Sequence, residues 1–104
     1  MKVIIPKQIK VSAQEYEIEL VTNLENDYDL WGQCLTGRGV LKIEAGTNPA
    51  GRTQTFLHEV MHAINDIYTC RVEEDNIDRM AQGLRDVLVD SLGIEFDWGE
   101  IKDE

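Results

Sequence analysis

The segment from His58 to His62, with the sequence HEVMH, holds the residues whose types and spacing point most directly to a chemistry. Histidines four residues apart on a helix lie one turn above each other, so both imidazoles can bind the same metal ion. Glu59 lies about 100° around the helix from His58, near the ion but badly placed to bind it. The pattern therefore predicts that Glu59 takes a proton from a metal-activated water, as the general base of a zinc peptidase does.

A single helix is expected to carry this motif, from Pro49 to about Tyr68, with Thr47 or Asn48 as its N-cap. Apolar residues fall on one side of it and the chain's only two histidines on the other, which is what a metal cleft needs. This favours a metal site over an ordinary solvated helix face. The apolar side comprises Phe56, Leu57, Val60, Ala63, Ile64 and Ile67.

A catalytic zinc site usually takes three protein ligands, and the next segment offers carboxylates for the third. A second helix should begin at Glu73 or Glu74 and run to about Leu92, packed antiparallel to the first because the connection is short. We assign Glu74 as the third ligand and Asp78, one turn further, as the partner that orients a histidine. Spacing alone leaves Asp78 or Glu73 open as the ligand, because a simple hairpin places His62 level with a residue nearer 78. The buried side of this helix is expected to comprise Ile77, Met80, Ala81, Leu84 and Leu88.

Other side chains receive smaller roles. Cys70, between the two helices, is an alternative soft ligand, but it lacks the paired cysteine spacing of structural zinc sites. Tyr28 and Arg52 are candidates to donate a hydrogen bond to the oxyanion that peptide hydrolysis forms. Three more are expected to be structural, with the tyrosine in the core: Trp31, Arg38 and Tyr68.

The N-terminal part, about residues 3–45, is predicted to form a β-sheet from two pairs of strands joined by short turns. The polar run 23–29 between the pairs is expected to be a loop. The expected strands are residues 8–11, 15–21, 30–36 and 40–45.

The expected fold is α+β, with a small antiparallel or mixed sheet packed on two antiparallel helices in one domain spanning residues 1–104. The helices cover about residues 49–68 and 74–92. In the tail, residues 93–104, Gly93 ends the second helix, and alternating apolar and acidic residues predict a short strand or a flap over the core.

Composition restricts the partners. Of the residues, 42% are hydrophobic and 29% charged, as in ordinary globular proteins, and the net charge of −10 argues against direct nucleic-acid binding. No apolar run is long enough to span a membrane, and the first residues do not form a secretory signal. We therefore expect a cytoplasmic protein in which Cys34 and Cys70 are reduced. Nothing in the sequence indicates an oligomeric state.

The motif and the helix after it resemble the ImmA/IrrE metallopeptidase-like proteins, a group of glutamate-type zincins. That family pairs HExxH with a later helix of the pattern E-x-x-x-N-x-F-A, which Glu74, Asp78 and the pair Met80-Ala81 match in position. The resemblance covers roughly residues 28–92. It includes the segments 29–32 and 39–43, which look like the strand pair before the motif helix in small phage-encoded members.

This resemblance implies a minimal zincin-like domain with one Zn²⁺ per chain, bound by His58, His62 and Glu74. It implies an endopeptidase whose substrate is a protein, such as the transcriptional repressor of a phage or mobile element, and whose cleft-edge strand pairs with the substrate backbone. Two other functions are consistent with the residues. One is a zinc-stabilised, non-catalytic protein-binding module, and the other is a metal-free regulatory protein.

Overall fold

The computed structural model describes residues 1–28 and 30–102, apart from the side chains of Asp27 and Tyr28. It combines a four-stranded mixed sheet, a two-stranded sheet and two long helices, so the α+β class is confirmed. The strands are β1 (Lys2–Ile4), β2 (Gln8–Val11), β3 (Gln14–Val21), β4 (Gly32–Leu35), β5 (Val40–Glu44) and β6 (Glu95–Asp97). The helices are α1 (Leu24–Tyr28), α2 (Pro49–Tyr68) and α3 (Glu74–Arg85).

The four-stranded sheet has the order β2-β3-β5-β4, and it contains both predicted strand pairs. Each pair is antiparallel, and β3 and β5 join them in parallel, which makes the sheet mixed. Alternate side chains of β3 and β5 point into the core, as the period of two requires. The most buried of them, each at most 4% exposed, are Tyr16, Ile18, Leu20, Leu41 and Ile43. Strand β4 lies at the edge of the sheet, beside α2.

Local signals set the start of α2, as predicted. The Asn48 side chain accepts a hydrogen bond of 2.8 Å from the Gly51 N–H, and Pro49 occupies the first turn. The helix ends at Tyr68, followed by Thr69 in the left-handed conformation (φ 52°). Its apolar side faces the sheet, with Phe56, Leu57 and Ala63 buried.

Helix α3 begins at Glu74 and continues beyond Arg85 as one wider π-helical turn, Asp86–Ser91, before Gly93 (φ 68°) reverses the chain. Ile77 and Ala81 are buried as predicted, but Met80 is 48% exposed. The prediction for Tyr68 was also wrong, since it is 61% exposed at the end of α2. Both residues lie at the border of an apolar stripe, where one position around the helix decides between core and solvent.

The polar run 23–29 is not simply a loop, because residues 24–28 form the short helix α1. The carboxylate that supports it comes from β5. Glu44, only 5% exposed, accepts hydrogen bonds of 2.7 Å from the N–H groups of Glu25 and Gly46. The Glu25 bond in particular lowers the pKa of Glu44.

The predicted tail strand is present as β6, which pairs in parallel with β1. Trp98, which follows β6, is 6% exposed and meets Phe56 of α2 edge-to-face, with ring centroids 5.6 Å apart. Its indole N–H donates to the Thr53 hydroxyl at 3.2 Å. The tail therefore packs on α2, the helix that also contacts the edge strand β4. Asp103 and Glu104 lie outside the described residues. Among the helices described, none is long and apolar enough to cross a bilayer.

Candidate metal centre

His58, His62 and Glu74 meet where α2 and α3 face each other. The two oxygens of Glu74 divide between the histidines: one lies 2.9 Å from Nε2 of His58 and the other 2.6 Å from Nε2 of His62. The two Nε2 atoms are 3.2 Å apart. In the described part of the chain, this group alone offers three side-chain ligand atoms in one place, and its members are the residues predicted from sequence.

The geometry and chemistry of this donor set suit a cation. Zinc–nitrogen bonds of about 2.0–2.1 Å and tetrahedral angles separate two ligand atoms by roughly 3.3 Å, close to the distance between the two Nε2 atoms. The two imidazole nitrogens and the carboxylate oxygen lie within 4.8 Å of one another, so one cation could contact all of them. A cation there would satisfy all three, and two histidines with one carboxylate suit zinc, as well as Fe(II) or Mn(II).

The connection between the helices explains why Glu74 reaches His62. The Asn65 side chain accepts from the Val72 N–H at 2.9 Å and donates to the Val72 carbonyl at 3.1 Å. Two residues with positive φ, Thr69 and Arg71, turn the chain back along the last turns of α2 before α3 begins. Glu74 therefore starts level with His62, and the simple hairpin that favoured a residue nearer 78 does not apply.

Asp78 lies where a histidine-orienting partner would lie. Its Oδ1 is 3.2 Å from Nδ1 of His58, and its Oδ2 accepts a bond of 2.8 Å from the Gln82 amide. An Nδ1–H donated to Asp78 leaves the Nε2 lone pair of His58 facing the centre. The ligands that spacing left open, Glu73 and Asp78, and the alternative soft ligand Cys70 lie outside the three-residue group.

Glu59 is buried beside the centre, with 6% of its surface exposed. Burial raises its pKa to about 7; the neighbouring His58 opposes this shift and the Glu74 carboxylate adds to it. A base with a pKa near neutrality is well matched to proton transfer at physiological pH. The side chain lies against Gly32 of β4, where an added Cβ would be 2.8 Å from a Glu59 carboxylate oxygen.

A cleft of about 600 Å³ opens over the centre. Residues 30–32, which lead into β4, form one wall. The backbone hydrogen bonds between β4 and β5 leave the N–H and C=O groups of Gly32 and Cys34 facing the sheet's open edge. Trp31, expected to be structural, is 56% exposed on this wall. The lining residues are Leu30, Trp31, Gly32, Gln54, Thr55, His58, Glu59, His62, Glu74 and Asp78. Asp29, in the same predicted segment, lies outside the described residues.

Of the two candidate oxyanion donors, Arg52 does not line the cleft. The Tyr28 side chain lies outside the described residues, and Arg52 donates to the Ala45 carbonyl at 2.7 Å, away from the cleft lining.

Sequence reasoning missed Gln54, one turn before His58. Its side chain lines the cleft, and its buried Nε2 has no hydrogen-bond partner among the described residues. Leaving such a donor unpaired costs about 1–3 kcal/mol. Its helical distance from His58 was the only signal in the sequence.

Comparisons of the chain with protein-family models, curated proteins and solved structures found no match. The resemblance to ImmA/IrrE proteins therefore stays a prediction from the motif and the α3 pattern.

Proposed function

We propose that this protein is a zinc-dependent endopeptidase. The observation that carries the proposal is the contact of one Glu74 carboxylate with both motif imidazoles, beside a buried Glu59 with a raised pKa. A solvated helix face would not be expected to gather a shared carboxylate, a second carboxylate at Asp78 and a buried base in one cleft.

Each residue has a distinct role in this reaction. His58, His62 and Glu74 would hold the ion, and Asp78 would keep the His58 ring oriented. Zinc, when bound, supplies the Lewis acidity that activates water and polarises a peptide carbonyl. Glu59 accepts the proton of the attacking water and returns it to the leaving amine.

The substrate we propose is an extended protein segment lying along β4. The open edge of this strand offers backbone groups at Gly32 and Cys34, and Trp31 offers an exposed apolar surface beside them. The resemblance to ImmA/IrrE proteins suggests a repressor of a phage or mobile element as the physiological substrate.

Metal content is the first experiment. Elemental analysis should find about one zinc per wild-type chain and a loss of that zinc in His62→Ala, because each ligand is needed to complete the site. Absence of zinc from both proteins, with no change in stability on adding zinc, would refute the metal centre.

Activity is then tested with Glu59→Gln, which keeps the shape of the side chain and removes the base. We expect cleavage of a fluorogenic peptide pool to fall by at least about 10²-fold while zinc content stays at one. Equal cleavage by both proteins would refute the role of Glu59.

A zinc-stabilised, non-catalytic binding module is the second candidate. It is favoured by one observation: none of the described residues lining the cleft is Lys, Arg or Tyr, the side chains that most strongly stabilise an oxyanion. This candidate predicts zinc binding, no cleavage by wild type, and unchanged partner binding in Glu59→Gln.

A further inference from the structure

A second groove adjoins the metal cleft. It has a volume of about 370 Å³ and lies between the start of α2 and the end of α3. Gln54 lines both spaces, so one side chain stands at their junction. The groove's lining residues are Ala50, Gly51, Gln54, Gln82, Arg85 and Asp86.

Two side chains of this groove have unused hydrogen-bond donors. Nε2 of Gln54 is buried without a partner among the described residues. The terminal torsion of glutamine is broad, so the amide can turn this donor towards an oxygen placed in the groove. The Arg85 side chain makes no hydrogen bond among the described residues either. Its ion-pair partner is an Asp86 oxygen 4.0 Å away.

The arrangement suits an anionic oxygen better than a neutral one. A guanidinium with free N–H groups binds carboxylates with two parallel hydrogen bonds. Among the described residues that line the groove, only Asp86 is acidic, because Asp78 and Glu74 line the metal cleft instead. Asp86 opposes a carboxylate most directly, but its side chain is 67% exposed and its charge is screened by solvent.

We propose that this groove is a specificity subsite, which binds an aspartate or glutamate side chain of the substrate close to the cleaved bond. Arg85 pairs with the carboxylate and Gln54 donates a further hydrogen bond to it. The inference rests on the proposed peptidase function, because it takes the cleft over the metal centre as the place where the peptide lies.

Binding of hydroxamate probes to the zinc-loaded protein tests this subsite without requiring cleavage. Acetohydroxamate reports only on access to the metal, whereas two peptide hydroxamates differing in Glu or Gln beside the hydroxamate report on the groove. We expect calorimetry to show the Glu probe binding about tenfold tighter than the Gln probe. Arg85→Gln should abolish this preference with acetohydroxamate binding unchanged, and Gln54→Leu should reduce the preference.

Arg79→Gln is the matched control, since it removes the same charge from an exposed position of α3 outside the groove. It should keep the preference for the Glu probe. Equal binding of the two peptide probes to wild type, or a preference that survives Arg85→Gln, would overturn the subsite and leave the metal centre standing. Failure of acetohydroxamate to bind would instead overturn the open metal site, and the subsite with it.

Discussion

Glu59, the general base that we propose, lies in an environment that disfavours its charged form. Its carboxylate is buried against Gly32, and desolvation raises its pKa from 4.5 to about 7. The folded protein therefore binds this proton more tightly than the unfolded chain does. Between these two values the folded state holds more protons, so stability falls as pH rises.

Glu59→Gln should therefore stabilise the metal-free protein at pH 8. The pKa shift corresponds to on the order of 3 kcal/mol, fully expressed above pH 7 and vanishing towards pH 4.5. Urea unfolding of both proteins in a chelator, at pH 5 and pH 8, measures this difference. A difference that is the same at both pH values would contradict the raised pKa.

The residues of the candidate metal centre differ in how well the sequence predicts that they come together. His58 and His62 converge because helical periodicity fixes positions four apart. The approach of Glu74 to the two histidines depends on the hydrogen bonds between Asn65 and Val72, which no local sequence pattern predicts. The position of Gln54 at the junction of two spaces follows only from how α3 packs on α2.

At the scale of elements, the close approach of β4 to α2 determines the width of the cleft. Gly32 makes this approach possible, since a Cβ there would lie 2.5 Å from the Thr55 methyl carbon and 2.8 Å from a Glu59 oxygen. These atoms belong to the helix that carries the metal motif. The strand must therefore move if the glycine is replaced.

Gly32→Ala is expected to lower the free energy of unfolding by about 1–3 kcal/mol and to impair activity, because the strand shifts and Glu59 with it. Gly37→Ala is the control, since a Cβ there meets nothing within 4 Å. Chemical denaturation and peptide cleavage, measured for both, test this. Equal stability of the two variants would show that β4 adapts without strain.

The connection between α2 and α3 is the second element on which the centre depends. Removing the Asn65 side chain breaks both of its bonds to Val72 and frees the turn that places Glu74. We expect Asn65→Ala to weaken zinc binding by about tenfold or more and to destabilise the fold by about 1–3 kcal/mol. Competition with a chromogenic chelator measures the zinc affinity.

Asn65→Asp is the partial control, because it keeps the acceptor for the Val72 N–H and loses only the donor. It should lie between wild type and Asn65→Ala in zinc affinity. Wild-type affinity in the alanine variant would mean that helix packing alone positions Glu74.

Local signals allowed the two long helices to be predicted, whereas elements that depend on long-range contacts were missed. Asn48 and Pro49 mark the start of α2, and Gly93 marks the end of the helical segment after α3; each signal lies within a few residues of the end that it marks. Helix α1 was missed because its capping carboxylate, Glu44, is 19 residues away from Glu25. The pairing of β1 with β6 was missed for the same reason.

At the scale of the whole molecule, Trp98 joins the tail to the core. It packs on Phe56 and bonds to Thr53, both on the helix that carries the metal motif. Trp98→Ala should lower the free energy of unfolding by about 3–5 kcal/mol, through lost burial and the cavity left behind. Trp31→Ala should change it by about 0.5 kcal/mol or less, because Trp31 is 56% exposed. Circular dichroism in denaturant compares the two; equal losses would contradict this assignment of the core.

The pairing of β1 with β6 also determines how long β1 stays unpaired during synthesis. Residue Val3 pairs with Phe96, so β1 has no partner until nearly the whole described chain has been made. At roughly 5–20 residues per second, this strand waits on the order of 5–20 s. An unpaired strand edge invites association with other chains, and charged or proline neighbours reduce that risk. Lys2, Pro6 and Lys7 flank the apolar residues here, so β1 has such neighbours until β6 has been made.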